Sequence, residues 1–128
     1  MKNIVILGHG VGVKFVIESL IKSNSNYRVV ALVTHPKKEH ENDLDLMNRR
    51  KKLFGDYAYN VLNVKSDYNI EVLESKNTND IETINWIKTF SPTYLVSISC
   101  RDILKSKFLN EFKNMVLNIH TTPLPLYR

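Results

Sequence analysis

Residues 2–12 read KNIVILGHGVG, and this stretch decides the fold. It joins a short apolar run, typical of a strand covered on both faces, to the alternating glycines Gly8, Gly10 and Gly12. A helix is predicted directly after the glycines, over Val13–Lys22, because apolar residues recur there at helical spacing. The expected buried stripe of this helix consists of Phe15, Val16, Leu20 and Ile21. A strand, a glycine loop and a helix in this order are typical of the beginning of an α/β fold.

Apolar stretches of strand length alternate with helical patterns along the rest of the chain. Four further strands are predicted, at Tyr27–Val33, Ile70–Leu73, Thr93–Ser99 and Met115–His120. Three further helices are predicted, at Leu46–Lys65, after Asn79 and at Ile103–Phe112. This alternation predicts a parallel sheet with helices on both faces. Right-handed crossovers then favour the strand order 3-2-1-4-5 in one doubly wound α/β domain, residues 1–128.

Two of these helices have predicted caps. Asn79 precedes Glu82 by the spacing of a capping box, in which each side chain satisfies a backbone N–H near the helix start. The helix at 103–112 is expected to have Asp102 or Ser99 as its cap, since short polar side chains accept from the free N–H groups of a first turn. Both turns are thus predicted as ordinary helix starts.

Polar segments follow the ends of the first, fourth and fifth predicted strands. They are Gly8–Gly12, Ser99–Leu104 and Asn118–Pro125. The C-terminal ends of parallel strands meet at one edge of a sheet. Open α/β sheets bind their ligands at that edge, in the crevice where the strand order reverses, here between strands 1 and 4. The sequence therefore predicts one ligand site built from these segments.

The composition of the 128 residues limits the classes of function. A hydrophobic content of 43% in strand-sized runs is typical of a soluble protein and leaves no stretch for a membrane span. The single cysteine, Cys100, excludes an internal disulfide framework and indicates a cytoplasmic protein. A net charge of +5 permits anionic partners such as nucleotides. No metal is expected, because the spacing of the His and acidic residues fits no common metal site.

The glycine loop is a candidate anion site, because free N–H groups at a helix N-terminus attract negative charge. It departs from the dinucleotide fingerprint, however. Val13 occupies the third glycine position, and Thr34 and His35 stand where a ribose-binding acid would follow strand 2. A nicotinamide cofactor is therefore not expected. An anion site and a tight turn without any ligand both remain open.

Asn118 and His120 are the candidate catalytic residues. They alternate in the last predicted strand, so their side chains are expected on the same face. An amide and an imidazole can both donate hydrogen bonds to one developing oxyanion, as acyl transfer requires. The alternative is a strand end whose polar side chains only satisfy local backbone groups.

From Asn118 the sequence reads NIHTTPLPLYR, which resembles the Asn-x-His-x-Ser-x-Leu-Pro-x-Tyr-Arg segment of the folate-dependent formyltransferases. Two threonines replace the usual small residue and Ser, and Pro123 replaces a leucine. The resemblance covers the whole chain and implies a Rossmann-like formyltransferase N-terminal domain, truncated at its C-terminal side. In the family a catalytic Asp lies further along, so we expect the 128-residue chain alone to be catalytically incomplete.

The resemblance also implies roles for individual residues. Asn118 and His120 would stabilise the tetrahedral intermediate of formyl transfer from 10-formyltetrahydrofolate. The pterin ring of that donor is expected at two segments, which consist of Asp102, Ile103 and Leu104 and of Thr122, Pro123, Leu124 and Pro125. The amine substrate is expected beside the first loop, which consists of Gly8, His9, Gly10, Val11 and Gly12.

Within the family, two segments favour an amino-sugar nucleotide as the amine substrate. The Gly8–Gly12 loop resembles the first loop of the sugar-nucleotide enzymes, and Thr34-His35-Pro36, with Glu39, Glu41 and Asn42 shortly after, resembles their Thr-His-x-Asp-x-x-x-Glu region. Methionyl-tRNA formyltransferase and glycinamide ribonucleotide formyltransferase are the alternatives, and a nucleic-acid partner is expected only for the former. A homodimer of the full-length protein is left open by the resemblance. A short non-catalytic protein that binds a folate or a nucleotide is the alternative from another class.

Overall fold

The computed structural model describes residues 1–36 and 59–119, together with Arg49 and Lys52 of the segment between them. The strands are β1 (Lys2–Gly8), β2 (Tyr27–Thr34), β3 (Glu71–Glu74), β4 (Tyr94–Ile98) and β5 (Val116–Ile119). The α-helices whose bounds lie in the described residues are α1 (Val11–Lys22), α2 (Val64–Tyr68), α3 (Ile81–Lys88) and α4 (Ser106–Glu111), and a 3₁₀ turn, Val61–Asn63, leads into α2.

The five strands form one sheet in the order β3-β2-β1-β4-β5, and every described pair is parallel. The predicted strand order and Rossmann-like α/β class are therefore confirmed. The order reverses between β1 and β4, because β2 and β3 lie on one side of β1 and β4 and β5 lie on the other. The C-terminal ends of all five strands thus meet at one edge, which we call the C-terminal edge.

Helices cover both faces of the sheet. Because successive side chains of a strand point to opposite faces, β1 contributes to a buried cluster on each face. On one face, Ile4 and Ile6 of β1 share a buried cluster with residues of α1 and α2. On the other face, Val5 and Leu7 of β1 share a second cluster with residues of α3 and α4. In the described part of the chain, none of the helices is long and apolar enough to span a membrane.

The buried side of α1 differs from the predicted stripe. Val13 and Ile17 are its buried residues, whereas Phe15 is 52% exposed and Ile21 is 63% exposed. Val13 and Ile17 lie on the same side of α1, because residues four apart share one side of a helix. The close contact of Gly12 with Ile98 of β4 places this side of α1 against the sheet. Helical periodicity predicted the helix but centred its buried side incorrectly.

The predicted continuous helix Leu46–Lys65 is also wrong at its C-terminal end. Arg49 and Lys52 are helical, but Tyr59 and Asn60 are not. The side chain of Asn60 accepts a hydrogen bond from the N–H of Leu62 at 3.1 Å, which starts a new 3₁₀ turn. The rest of that predicted helix lies outside the described residues.

Candidate functional site

A cleft of about 510 Å³ opens at the C-terminal edge, between the end of β5 and the turn that joins β4 to α4. We call it the β5 cleft, and we call residues 99–105 the β4–α4 turn. The residues that line the cleft are Ser97, Ser99, Cys100, Asp102, Ile103, Leu104, Leu109, Val116, Asn118 and Ile119. The Ser99–Leu104 segment and the described beginning of the Asn118–Pro125 segment, Asn118 and Ile119, therefore meet in one cleft.

Asn118 is placed in the β5 cleft by strand register. It pairs with Ser97 of β4, and Leu95 pairs with Val116 two residues earlier. Leu95 belongs to the cluster beneath α3 and α4, so Asn118 lies on that same face. Asn118 is exposed, which leaves its amide accessible from the cleft.

The β4–α4 turn is not the helix start that the sequence predicted. The helix α4 begins at Ser106 instead of Ile103, and no side chain caps it. The Asp102 carboxylate instead accepts two hydrogen bonds from Thr78, one from its N–H and one from its hydroxyl, both at 2.9 Å. Ser99 adopts a positive φ of 52°, a backbone conformation that is strained for residues other than glycine. The turn is therefore shaped by long-range contacts.

Two titratable groups of this turn have shifted pKa values. Burial disfavours the charged form of Asp102, but hydrogen bonds from Thr78 and the neighbouring Arg101 outweigh it and lower the pKa of the carboxyl below its ordinary 3.8. Burial raises the pKa of the Cys100 thiol above its ordinary value. Asp102 is therefore an anion at neutral pH, and Cys100 is a neutral thiol with little nucleophilic character.

The predicted capping box at α3 is wrong as well. Asp80 occupies the N-cap position of α3, without a side-chain cap hydrogen bond. The Asn79 amide nitrogen, Nδ2, donates to the carbonyl oxygen of Ile103 at 2.9 Å, and its Oδ1 accepts from the N–H of Lys105 at 2.7 Å. The side chain of Asn79, which the local spacing predicts as a helix cap, therefore binds a turn that is distant in sequence.

The glycine loop is explained by packing and backbone shape. A Cβ at Gly8 would lie 1.9 Å from the carbonyl oxygen of Ile98, and one at Gly12 would lie 2.6 Å from the Cδ1 atom of the same residue. Gly10 has a φ of 88°, which other residues rarely adopt. Gly8 and Gly12 are therefore required by the contact of β1 and α1 with β4, and Gly10 is favoured by its backbone conformation, independently of any ligand.

A second, shallower depression lies beside the β5 cleft at the switch between β1 and β4. Its lining residues are Gly8, Val33, Thr34, His35, Thr78, Cys100, Arg101 and Asp102. The Thr34 hydroxyl is buried there and has no hydrogen-bond partner among the described residues. The ring of His35 lies 4.6 Å, centroid to centroid, from the ring of His9. The end of β2 and the glycine loop therefore contact each other at this edge.

A further depression of about 540 Å³ lies at the opposite edge of the sheet, among Met1, Tyr27 and Asn69. Those residues precede or begin strands, and parallel sheets do not bind their ligands there. We therefore assign the site to the C-terminal edge, although the opposite depression is slightly larger.

The predicted residues His120, Thr122, Pro123, Leu124 and Pro125 lie outside the described residues. The structure thus brings Asn118 together with Asp102, Ile103 and Leu104, and it places the Gly8–Gly12 loop further along the same edge. Sequence reasoning missed Thr78 and Asn79 as supports of the site. The sequence signal for this supporting role is the polar run between β3 and α3, but the spacing within that run predicts a local helix cap.

Comparison with known proteins identifies the family to which the chain belongs. The family model described as formyl transferase matches residues 1–128. A methionyl-tRNA formyltransferase of Clostridium acetobutylicum is 34% identical over 116 residues, which are 90% of this chain and 34% of that protein. A methionyl-tRNA formyltransferase of Campylobacter fetus is 28% identical over 128 residues, which are 100% of this chain and 38% of that protein.

A shorter match, to the methionyl-tRNA formyltransferase of Finegoldia magna, is 36% identical over 59 residues, which are 46% of this chain and 19% of that protein. In the two longer matches this chain spans about a third of the relative's length. The family model matches along the entire chain, and the sheet has the Rossmann-like α/β class that the resemblance implied. The chain therefore belongs to the formyl transferase family.

Proposed function

We propose that the protein transfers a formyl group from 10-formyltetrahydrofolate to a primary amine, and that the β5 cleft holds the donor. One observation carries this proposal. Asn118, the candidate oxyanion donor, lines the same cleft as Asp102, Ile103 and Leu104, the candidate pterin contacts. The membership of the chain in the formyl transferase family supports the reaction class.

The residues of the cleft suit a reduced pterin. Its walls combine the apolar side chains of Ile103, Leu104 and Val116 with the hydroxyls of Ser97 and Ser99. Binding sites for small molecules are commonly apolar, with a few polar groups that fix orientation. A flat ring with a hydrogen-bonding edge would pack against the apolar wall and direct that edge toward the turn backbone.

In the proposed reaction, the amine nitrogen attacks the formyl carbon and a new C–N bond forms. Negative charge develops on the formyl oxygen, and the amide of Asn118 donates to it. The bond from carbon to N10 of the folate then breaks, while the amine loses one proton and N10 gains one. We propose that His120 carries this proton, because an imidazole titrates near neutral pH.

The first candidate for the amine is methionyl-tRNA. Three relatives, from three organisms, are methionyl-tRNA formyltransferases by name. These matches favour the methionyl-tRNA alternative over the amino-sugar nucleotide that the loop sequences favoured. We therefore place methionyl-tRNA first and take the formyl group to be added to its methionyl amine.

The second candidate is the amine of an amino-sugar nucleotide. One contact at the C-terminal edge favours it. His9 and His35, which belong to the two segments that resemble the sugar-nucleotide enzymes, lie against each other. The buried Thr34 hydroxyl beside them is a polar group available to a sugar or a phosphate.

A direct competition of substrates tests the proposal. The full-length protein and 10-formyltetrahydrofolate would be incubated in parallel with methionyl-tRNA and with a panel of UDP- and dTDP-linked amino sugars. Formylated products would be identified by mass spectrometry. We expect formylation of methionyl-tRNA. Formylation of a sugar nucleotide alone would select the second candidate, and no formylated product from any of these amines would refute the proposed function.

A further inference from the structure

The β4–α4 turn, which lines the β5 cleft, is held in place by the turn between β3 and α3. We call that second turn, residues 75–80, the β3–α3 turn. Its contacts with the β4–α4 turn come from the neighbouring residues Thr78 and Asn79 and from the backbone of Lys76. The wall of the cleft is therefore supported from a segment about 24 residues earlier in the chain.

The carboxamide of Asn79 makes the central contact. It donates to the carbonyl oxygen of Ile103 and accepts from the N–H of Lys105, at 2.9 Å and 2.7 Å. The two bonds pair with the backbone on either side of Leu104, as an adjacent strand would. Asn79 is itself oriented, because its backbone N–H donates to Oδ1 of Asn77 at 3.0 Å. The position of the 103–105 backbone is thus fixed by one side chain.

The contacts of Thr78 add a second fixed point at Asp102. Thr78 is 5% exposed, and both of its donors bind the same carboxylate oxygen. The guanidinium of Arg101 also donates to the carbonyl oxygen of Lys76 at 2.7 Å. Three consecutive residues of the β4–α4 turn, 101–103, therefore each bind the β3–α3 turn through a side chain or a carbonyl group.

Packing alone does not hold this part of the cleft wall. Ile103 is 84% exposed, and α4 begins only at Ser106. No side-chain cap of α4 orders the residues between them. Leu104 packs against the buried cluster beneath α3 and α4, and the hydrogen bonds from Asn79 restrain the backbone on either side of it.

We propose that Asn79 is a positioning residue for folate binding, which fixes the cleft wall at residues 103–105 without touching the folate. Asn79 is absent from the residues that line the β5 cleft. This inference rests on the proposed function, because the β5 cleft must be the folate site. Thr78 acts in the same way through Asp102.

The first measurement needs no ligand. Asn79→Ala removes both bonds to the turn, and Asn110→Ala, an exposed asparagine of α4 outside the cleft lining, is the matched control. In Asn79→Ala, amide hydrogen exchange followed by NMR should be about tenfold faster at Lys105, the gain expected from one lost hydrogen bond. The amide of Leu95, which donates to the Met115 carbonyl oxygen within the sheet, should exchange as before.

The second measurement is calorimetric titration with 5-formyltetrahydrofolate, a stable reduced folate. We expect Asn79→Ala to weaken binding about tenfold and Asn110→Ala to leave it unchanged. In the full-length enzyme, Asn79→Ala should raise KM for the formyl donor with little change in kcat, since Asn79 does not contact the reacting atoms. A residue needed only for stability would not separate KM from kcat in this way.

The outcomes separate the inference from the function on which it depends. Unchanged exchange at Lys105 overturns the support by Asn79, and faster exchange with unchanged affinity overturns its effect on binding. If the unmutated protein does not bind 5-formyltetrahydrofolate, the proposed function fails and this inference fails with it.

Thr78→Val, which keeps the N–H bond to Asp102 and removes the hydroxyl bond, is the milder variant should Asn79→Ala not fold. We expect it to weaken folate binding about threefold, and unchanged affinity would again contradict the inference.

Discussion

Replacing Gly8 by alanine should destabilise the protein severely, because the added Cβ would clash with the backbone of Ile98 in the neighbouring strand β4. The added Cβ would lie 1.9 Å from the carbonyl oxygen and 2.9 Å from the carbonyl carbon of Ile98. Real Cβ atoms do not approach other atoms closer than 3.0 Å, so the two strands must separate locally by about 1 Å. The clash is with backbone, which cannot rotate out of the way.

The magnitude follows from two losses. Overpacking a well-packed core costs about 1–3 kcal/mol, and a contact with backbone belongs at the upper end of that range. Separation of the strands also weakens the hydrogen bond from the N–H of His9 to the Ile98 carbonyl oxygen, at 3.3 Å, a loss of about 1 kcal/mol. Together these losses predict a decrease of about 4 kcal/mol in the free energy of unfolding, or roughly 15 °C in Tm.

Gly12 provides the matched comparison, because it contacts the same residue through a side chain. A Cβ at Gly12 would lie 2.6 Å from Cδ1 of Ile98, an atom that Ile98→Val removes. Alanine also favours a helix over glycine by about 0.5–1 kcal/mol. Gly12→Ala should therefore be mildly destabilising alone and should regain stability when it is combined with Ile98→Val.

Urea unfolding followed by circular dichroism measures the stability of the three single variants and of the two double mutants with Ile98→Val. The expected pattern is strong coupling between Gly12→Ala and Ile98→Val and near additivity between Gly8→Ala and Ile98→Val. If Gly8→Ala unfolds within about 0.5 kcal/mol of the unmutated protein, the close approach of β1 and β4 is wrong. Rescue of Gly8→Ala by Ile98→Val would show that the clash is not with backbone.

Three further predictions concern the site and the core. The fold lowers the pKa of the Asp102 carboxyl. Its ionised form therefore stabilises the protein at pH values above the ordinary pKa of 3.8, and this stabilisation is lost as the pH falls below that pKa. Thr78→Val should therefore lower stability at neutral pH and have a smaller effect in acid, and an equal effect at both would contradict the pKa assignment. Asn118→Ala in the full-length enzyme should reduce kcat about a hundredfold with little change in KM, and an equal rise in KM would indicate a binding role instead. Phe108→Ala should cost about 3–5 kcal/mol in urea unfolding, because Phe108 is fully buried, and the exposed neighbour Leu109→Ala should cost less than about 1 kcal/mol.

The sequence predicted the sheet because its strands carry a strong local signal. Apolar runs of strand length alternate with helical patterns, and the right-handedness of crossovers leaves few strand orders. The same local reasoning brought Asn118 to the C-terminal edge, since a strand fixes which side chains share a face. The structure confirms the strand order and places Asn118 in the β5 cleft.

The errors come from contacts that are distant in sequence. Asn79 and Glu82 have the spacing of a capping box, but the Asn79 carboxamide binds Ile103 and Lys105 instead. Asp102 was expected to cap the following helix, but it binds Thr78. A local pattern cannot show that two turns distant in sequence will lie together at one sheet edge. There the polar side chains bind the other turn instead of capping the nearest helix. Local sequence rules are expected to fail in this way at functional or strained positions.

The central claim is that the β5 cleft binds a reduced folate beside Asn118. Titration of the isotopically labelled protein with 5-formyltetrahydrofolate, followed by NMR, tests it residue by residue. We expect chemical-shift changes concentrated at Ile103, Leu104 and Asn118. Changes concentrated instead around Met1 and Tyr27, at the opposite edge of the sheet, or no changes at a saturating concentration, would contradict it.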